Sequence, residues 1–229
     1  MGDLRSARVN GIRLAYEVAG PPDGPALVLL HALGETRKDW ASVMPALAGS
    51  HRVYALDLRG HGDSDRPGDY SLELMCADVA GFLDELGLVP AIVVGHSMGA
   101  FVGYLLAERR PPAVQRLVLE EPPPPLPATP PRTVPERPAG DLDFDWAVVP
   151  QLTGQRNAPD PRWWDDLAAI TARTLVIAGG PDSHLPQDQI AALAARIPDG
   201  RLVTIPAGHL VHDTRPAEFL AEVRGFLAD

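Results

Sequence analysis

Four short runs of aliphatic and β-branched residues, at 26–30, 52–56, 91–94 and 174–178, constrain the fold more than any other feature of the chain. Each is bounded by turn residues and followed by a helix-length amphipathic segment, the pattern of strands buried on both faces. Parallel neighbours cannot be joined by a tight turn and need a crossover of about a dozen residues or more, so helices must alternate with the strands. Runs at 114–119 and 201–205 extend the series. Helices are expected at 38–47, 71–86, 97–109, 187–196 and 216–227. In the second of these Ser71 can cap the N-terminus, Leu72, Met75, Val79, Phe82 and Leu86 recur at helical spacing, and Gly87 ends the helix. The pattern predicts an α/β fold: a mainly parallel twisted sheet with helices on both faces. Residues 7–18 alternate around Asn10-Gly11, a strong hairpin signal, so an antiparallel edge precedes the parallel strands.

One stretch breaks the rhythm. From Glu121 to Pro138, nine of eighteen residues are proline, which cannot supply the amide donors of a helix interior or a central strand. The segment that follows carries Phe144, Trp146, Trp163 and Trp164, too many large apolar groups for a linker. Residues 122–172 therefore read as a short lid inserted after the sixth strand of a core formed by 1–121 and 173–229. A chain of 229 residues has room for one large domain with such an insertion, and no internal repeat is present.

Thirty acidic against twenty basic residues leave a net charge of −10, which repels phosphate backbones and anionic membranes, so neither nucleic acid nor membrane is an expected partner. Cys76 is the single cysteine. It excludes an intramolecular disulfide or a paired-cysteine zinc site, and its place among apolar helix positions reads as core. The first six residues fit an N-myristoylation pattern, one short enough to recur by chance. With no apolar leader and no long apolar stretch, the expected location is cytoplasmic and the expected state a monomer or homodimer.

The sharpest chemical signal is Gly95-His96-Ser97-Met98-Gly99, at the junction of a strand and a helix. A serine there sits on a strained turn whose backbone crowds its neighbours, so the positions two before and two after must be small. The turn exposes the hydroxyl above the strand ends and aims the free amides of a helix N-terminus at whatever it attacks. Serine is a poor nucleophile without a base and a group that orients that base. His209 follows the run 201–205, and Asp182 follows the run 174–178. Asp182 is the favoured acid, with Glu120 and Glu121, at the end of the preceding strand, as the alternatives. The order Ser, Asp, His is that of the α/β hydrolases.

His31-Ala32-Leu33-Gly34 with Trp40, Asp57-Leu58-Arg59-Gly60-His61-Gly62-Asp63-Ser64 and the serine elbow, in that order and spacing, resemble the α/β-hydrolase fold superfamily over nearly the whole chain except the lid. The resemblance implies an oxyanion hole from the amides of Leu33 and Met98, with His31 and the turn Arg59-Gly60-His61-Gly62 shaping the adjoining loops. Trp163 and Trp164 are expected substrate contacts from the lid, although adjacent positions on a helix cannot both face the cleft. His61 and His96 are expected to satisfy loop hydrogen bonds, His184 to be an exposed loop residue, and Asp57, Asp63 and Asp65 to fix turns. His209 and His212, three apart, have no cysteine or clear glutamate to complete a metal site, and none is expected. No glycine-rich dinucleotide fingerprint is present, so no cofactor is expected.

The implied activity is a serine hydrolase acting on a small to medium, mostly apolar carbonyl compound, an ester or lactone, through a Ser-His-Asp triad and an acyl-enzyme. The same scaffold also supports C–C bond hydrolases, biosynthetic lyases or cyclases, and ligand-binding proteins that retain the triad.

Overall fold

The computed structural model describes residues 2–228. The chain opens with the hairpin β1 (Asp3–Val9) and β2 (Ile12–Ala19), whose two turn residues both have positive φ, 48° at Asn10 and 81° at Gly11. Then follow β3 (Ala26–Leu30), a 3₁₀ helix at Arg37–Ser42, α1 (Met44–Leu47), β4 (Arg52–Leu56), α2 (Leu72–Glu85), β5 (Ala91–His96), α3 (Met98–Arg109) and β6 (Val114–Glu120). The helix expected at 38–47 is thus two short pieces. Pro45, which lacks an amide donor, falls where a continuous helix would need one and instead occupies the first turn of α1. After a long irregular run come α4 (Val148–Asn157) and α5 (Pro161–Asp165), then β7 (Arg173–Ala178), α6 (Gln187–Arg196), β8 (Gly200–Thr204), α7 (Val211–Thr214) and α8 (Pro216–Ala228).

The eight strands form one sheet in the order β1-β2-β4-β3-β5-β6-β7-β8. The β1–β2 and β2–β4 pairs are antiparallel and all others are parallel, as the alternation of runs and helices requires. Strand periodicity divides the core. Leu27, Leu29, Ile92 and Val94 join Trp40, Phe219 and Phe226 on one face, where α1 and α8 pack, while Val28, Leu30 and Val93 join Phe82, Phe101 and Ile190 of α2, α3 and α6 on the other. Each fully buried side chain of this size contributes roughly 1.5–3 kcal/mol. Ser71 caps α2 by accepting from the Leu74 amide at 3.0 Å, and Cys76 is buried among its apolar positions, with its thiol pushed up to about 12. No described helix is long and apolar enough to cross a membrane.

Between β6 and β7 the proline run carries no regular element, and the chain returns to the core at Phe144. Gly62 N–H donates to Asp143 O and Asp145 N–H to Gly60 O, both at 2.7 Å, and the Phe144 ring stacks on His61 with centroids 5.5 Å apart. The turn at 59–62 is rigid enough to serve as that anchor. The Asp57 carboxylate accepts from the amides of Arg37 and Asp63 at 2.7 and 2.9 Å, and Arg59 makes a buried bidentate pair with Asp78 at 2.7 and 2.9 Å. Asp65 accepts from the Arg13 amide at 2.8 Å. Asp57 and Asp65 therefore fix turns, whereas the exposed Asp63 carboxylate pairs with the Arg37 guanidinium at 2.8 Å.

A second polar assembly lies beneath the carboxyl ends of the strands. Glu120, the last residue of β6, accepts from the backbone amide and Nδ1 of His212 at 2.9 and 2.7 Å, and the other ring nitrogen of His212 lies against Asp39, whose carboxylate also faces His96 at 3.4 Å. The ligand atoms of Asp39, His96 and His212 are near enough together to hold an ion. However, both nitrogens of His212 are occupied, and although burial works against its charge, Glu120 and Asp39 raise its pKa to about 10. These contacts form a buried ion cluster that ties the 3₁₀ helix and α7 to β6.

Two predictions follow from these contacts. A Cβ on Gly99 would overlap the Leu30 carbonyl, whereas one on Gly154 meets nothing within 4 Å. Gly99→Ala should cost at least about 1–3 kcal/mol and Gly154→Ala should gain about 0.5–1 kcal/mol in urea unfolding. The raised pKa of His212 contributes stability that is complete below its ordinary value of 6.5 and is lost as pH rises through about 10. The stability difference between the wild type and the Glu120→Gln/His212→Asn double variant should therefore shrink between pH 7 and pH 10.

Candidate active site

Ser97 stands between β5 and α3 with φ 50° and ψ −110°, a left-handed backbone that an L-residue adopts only when its surroundings impose it. The constraint is steric. A Cβ at Gly95 would overlap the backbone of Gly99, and one at Gly99 would overlap Leu30, so both glycines are required for the helix to start this close to the sheet. The Ser97 amide donates to Glu120 O at 2.9 Å, and the side chain makes no capping bond, which leaves the hydroxyl free above the strand ends. The amides of Leu33 and Met98 donate to no described protein group.

His209 lies on the loop after β8. Its Nδ1–H donates to Glu121 Oε2 at 3.1 Å, which leaves Nε2 as the basic nitrogen. The sequence favours Asp182 as the partner of this ring, with Glu121 as an alternative, and the structure pairs it with Glu121. Asp182 is exposed on the loop after β7 and makes no hydrogen bond to the ring, whereas Glu121 is fully buried. Glu121 has a positive φ of 47°, which turns the chain out of β6 and aims the carboxylate across β7. There it also accepts from Gly179 N–H at 2.6 Å, Gln187 Nε2 at 3.1 Å and the Ser183 hydroxyl. Burial opposes its charge, but the bonds from His209, Ser183, Gly179 and Gln187 outweigh that, and its pKa lies below the usual glutamate value. Glu120, one residue earlier, points the other way, to His212. Successive strand residues face opposite sides, so the two adjacent glutamates serve two different histidines.

The remaining histidines hold loops. His96 contacts the His209 carbonyl through Nε2 at 2.8 Å and so fixes the loop that carries the imidazole. His31 donates from Nδ1 to Ala32 O at 2.7 Å and accepts from Leu58 N–H at 2.9 Å. Burial depresses its pKa to about 4, so the ring is neutral. His61 is neutral for the same reason, at about 3. His184 is exposed, as expected, yet its ring packs edge-on against His209 with centroids 4.3 Å apart.

Beside Ser97 lies a small cavity of about 30 Å³ walled by Leu33, Leu72, Met98, Phe101, Pro123 and Leu152, with Arg156 completing it. His31, Trp163 and Trp164 are not among its walls, against expectation. Trp163 is buried behind the cavity, edge-on to Phe101 at 5.2 Å, and Trp164 lines an outer groove with Pro125 and Pro161, beneath the Arg196 guanidinium. Residues from the turn of α4, Leu152 and Arg156, occupy the place the tryptophans were expected to fill. Their signal in the sequence is weak, because α4 has no strong apolar stripe.

Residues 25–159 match the sequence pattern of the alpha/beta hydrolase fold family. Over 270 aligned positions the chain is 28% identical to the sn-1-specific diacylglycerol lipase ABHD11 of Mus musculus, covering 97% of this chain and 88% of that protein. A hydrolase from Pseudomonas aeruginosa PA01 superimposes with a TM-score of 0.87 at 30% identity, covering 100% of this chain and 99% of its own. The enol-lactonase from Burkholderia xenovorans LB400 does so with a TM-score of 0.84 at 25% identity, covering 98% and 100%. By sequence pattern, strand order and elbow together, the chain belongs to the α/β-hydrolase fold family.

Proposed function

We propose that this hydrolase-family protein is a serine hydrolase that cleaves a small to medium ester or lactone by acyl transfer, with Ser97 as nucleophile, His209 as base and Glu121 as the orienting acid. The observation that carries this reading is the His209–Glu121 pair on a loop that His96, the chain neighbour of the strained and unbonded Ser97, holds by its backbone. The diacylglycerol lipase and enol-lactonase among the similar proteins support carbonyl-ester chemistry of this kind.

In this reading, Nε2 of His209 takes the Ser97 proton as Oγ attacks the carbonyl, and the imidazolium that forms is stabilised by Glu121. The oxyanion is received by the amides of Leu33 and Met98, each worth about 3–4 kcal/mol where such donors have been removed elsewhere. His209 then protonates the leaving oxygen, and water activated by the same nitrogen releases the acid and restores Ser97. As it stands the cavity has room for a water or two, so residues 122–172 act as a lid that shifts as one unit to open the enclosure to an acyl chain. The neutral His31 and His61 rings add no charge beside the site.

A fluorophosphonate probe should label Ser97, and Ser97→Ala should abolish the label; labelling elsewhere, or none, contradicts the assignment. Glu121→Gln should lower kcat by roughly 10²- to 10⁴-fold, while Asp182→Asn should stay within about threefold of wild type. The reverse ranking in steady-state ester hydrolysis would return the acid to Asp182.

A further inference from the structure

The cavity beside Ser97 is apolar except for one group. Arg156, half-buried on α4, brings a guanidinium to the same small enclosure as the nucleophile. Its side chain makes no hydrogen bond or ion pair with any described residue; only its backbone carbonyl is engaged, by Arg132 Nη1 at 2.9 Å. The base of the side chain is nevertheless held firmly. Arg132 N–H donates to Asn157 Oδ1 and Asn157 Nδ2 donates back to Arg132 O, both at 2.8 Å, clamping the C-terminal turn of α4. A half-buried arginine with open donors in the wall of the cavity that holds the nucleophile is placed to receive an anion from outside the chain.

No internal carboxylate answers it. Glu121 is fully engaged by His209, Ser183, Gly179 and Gln187. Glu108, which shares the surroundings of Tyr104 with Arg156, is held protonated by burial, with a pKa of about 9. Burial, with Arg132 adding, lowers the Arg156 value to about 10, which leaves the guanidinium charged at neutral pH.

The position also selects which half of the substrate meets it. The enclosure is lined by Ser97, Leu33 and Met98, where the carbonyl must sit, and not by His209, which delivers a proton to the leaving oxygen. Arg156 is therefore on the acyl side.

We propose that Arg156 binds a carboxylate at the far end of the acyl chain, so that the preferred substrates are hemiesters of short dicarboxylic acids, or lactones bearing such a carboxylate. This rests on the serine-hydrolase reading for the direction of the acyl chain. A planar fork that forms two parallel bonds to a carboxylate suits arginine better than lysine, and the surrounding leucines and Phe101 would cover the intervening methylenes.

The test compares kcat/KM for monomethyl esters of four- to six-carbon dicarboxylic acids with those for methyl esters of the matching monocarboxylic acids, followed by acid release in a pH-stat. The wild type should favour the hemiesters at least about tenfold. Arg156→Gln should reduce that ratio to near one, mainly through the hemiesters, and Arg156→Lys should restore part of it. Calorimetric binding of glutarate to the full-length protein, expected to weaken at least about tenfold in Arg156→Gln, reads the same site without turnover. An unchanged ratio together with unchanged glutarate binding, in a variant whose urea midpoint matches wild type, overturns the proposal. Glutarate binding that depends on Arg156, with no ester cleaved and no fluorophosphonate label at Ser97, would instead sink the hydrolase reading while leaving the anion site in place.

Discussion

The close approach of α3 to the sheet governs the rest of the molecule. With no side chain at Gly95 or Gly99, the helix begins against the carbonyls of Leu30 and His31, and Ser97 is forced into a left-handed backbone at the only point where the chain can make the turn. The contact places a hydroxyl above the strand ends and the Met98 amide beside it, and it brings the β3 loop with the Leu33 amide to the same cavity. The strain is sustained by a sheet whose central strands β3, β5 and β6 are buried on both faces.

The carboxyl edge of that sheet concentrates charge, and each charge is answered by geometry. Glu120 and Glu121 leave β6 in opposite directions, one to an imidazole whose pKa it raises, the other to an imidazole with a free nitrogen. The two pairs are joined by His96, which reaches Asp39 on one side and the His209 carbonyl on the other. The buried cluster thus holds the loop that carries His209 from below, while Glu121 holds its ring from the side. Arg156 is the exception, a cation whose side chain has no partner among the described residues, in the wall of the cavity that Ser97 lines.

Much of this was legible in the sequence because it rests on local rules. The strand runs, the Ser71 cap, the Asn10-Gly11 hairpin and the elbow glycines all follow from period, turn chemistry and sterics. The partner of His209 was not legible, because Asp182 and Glu121 both follow the carboxyl end of a strand. What separates them is a positive φ at Glu121 and the convergence of Gly179, Ser183 and Gln187 on its carboxylate, none of which is a sequence pattern. Trp163 and Trp164 drew attention by size, yet large aromatic residues bury themselves in the core more readily than they line a small cavity. Arg156 was one of nineteen arginines, and only its place in the wall of the cavity with Ser97 distinguishes it.

The covalent step is the claim on which the functional reading stands. Rapid acid quench of the enzyme with p-nitrophenyl butyrate, followed by peptide mass spectrometry within the first turnover, tests it most directly. The account predicts a butyryl group on the peptide containing Ser97, with release of p-nitrophenol abolished in Ser97→Ala. Release at an equal rate in wild type and Ser97→Ala, with that peptide unmodified, would contradict it.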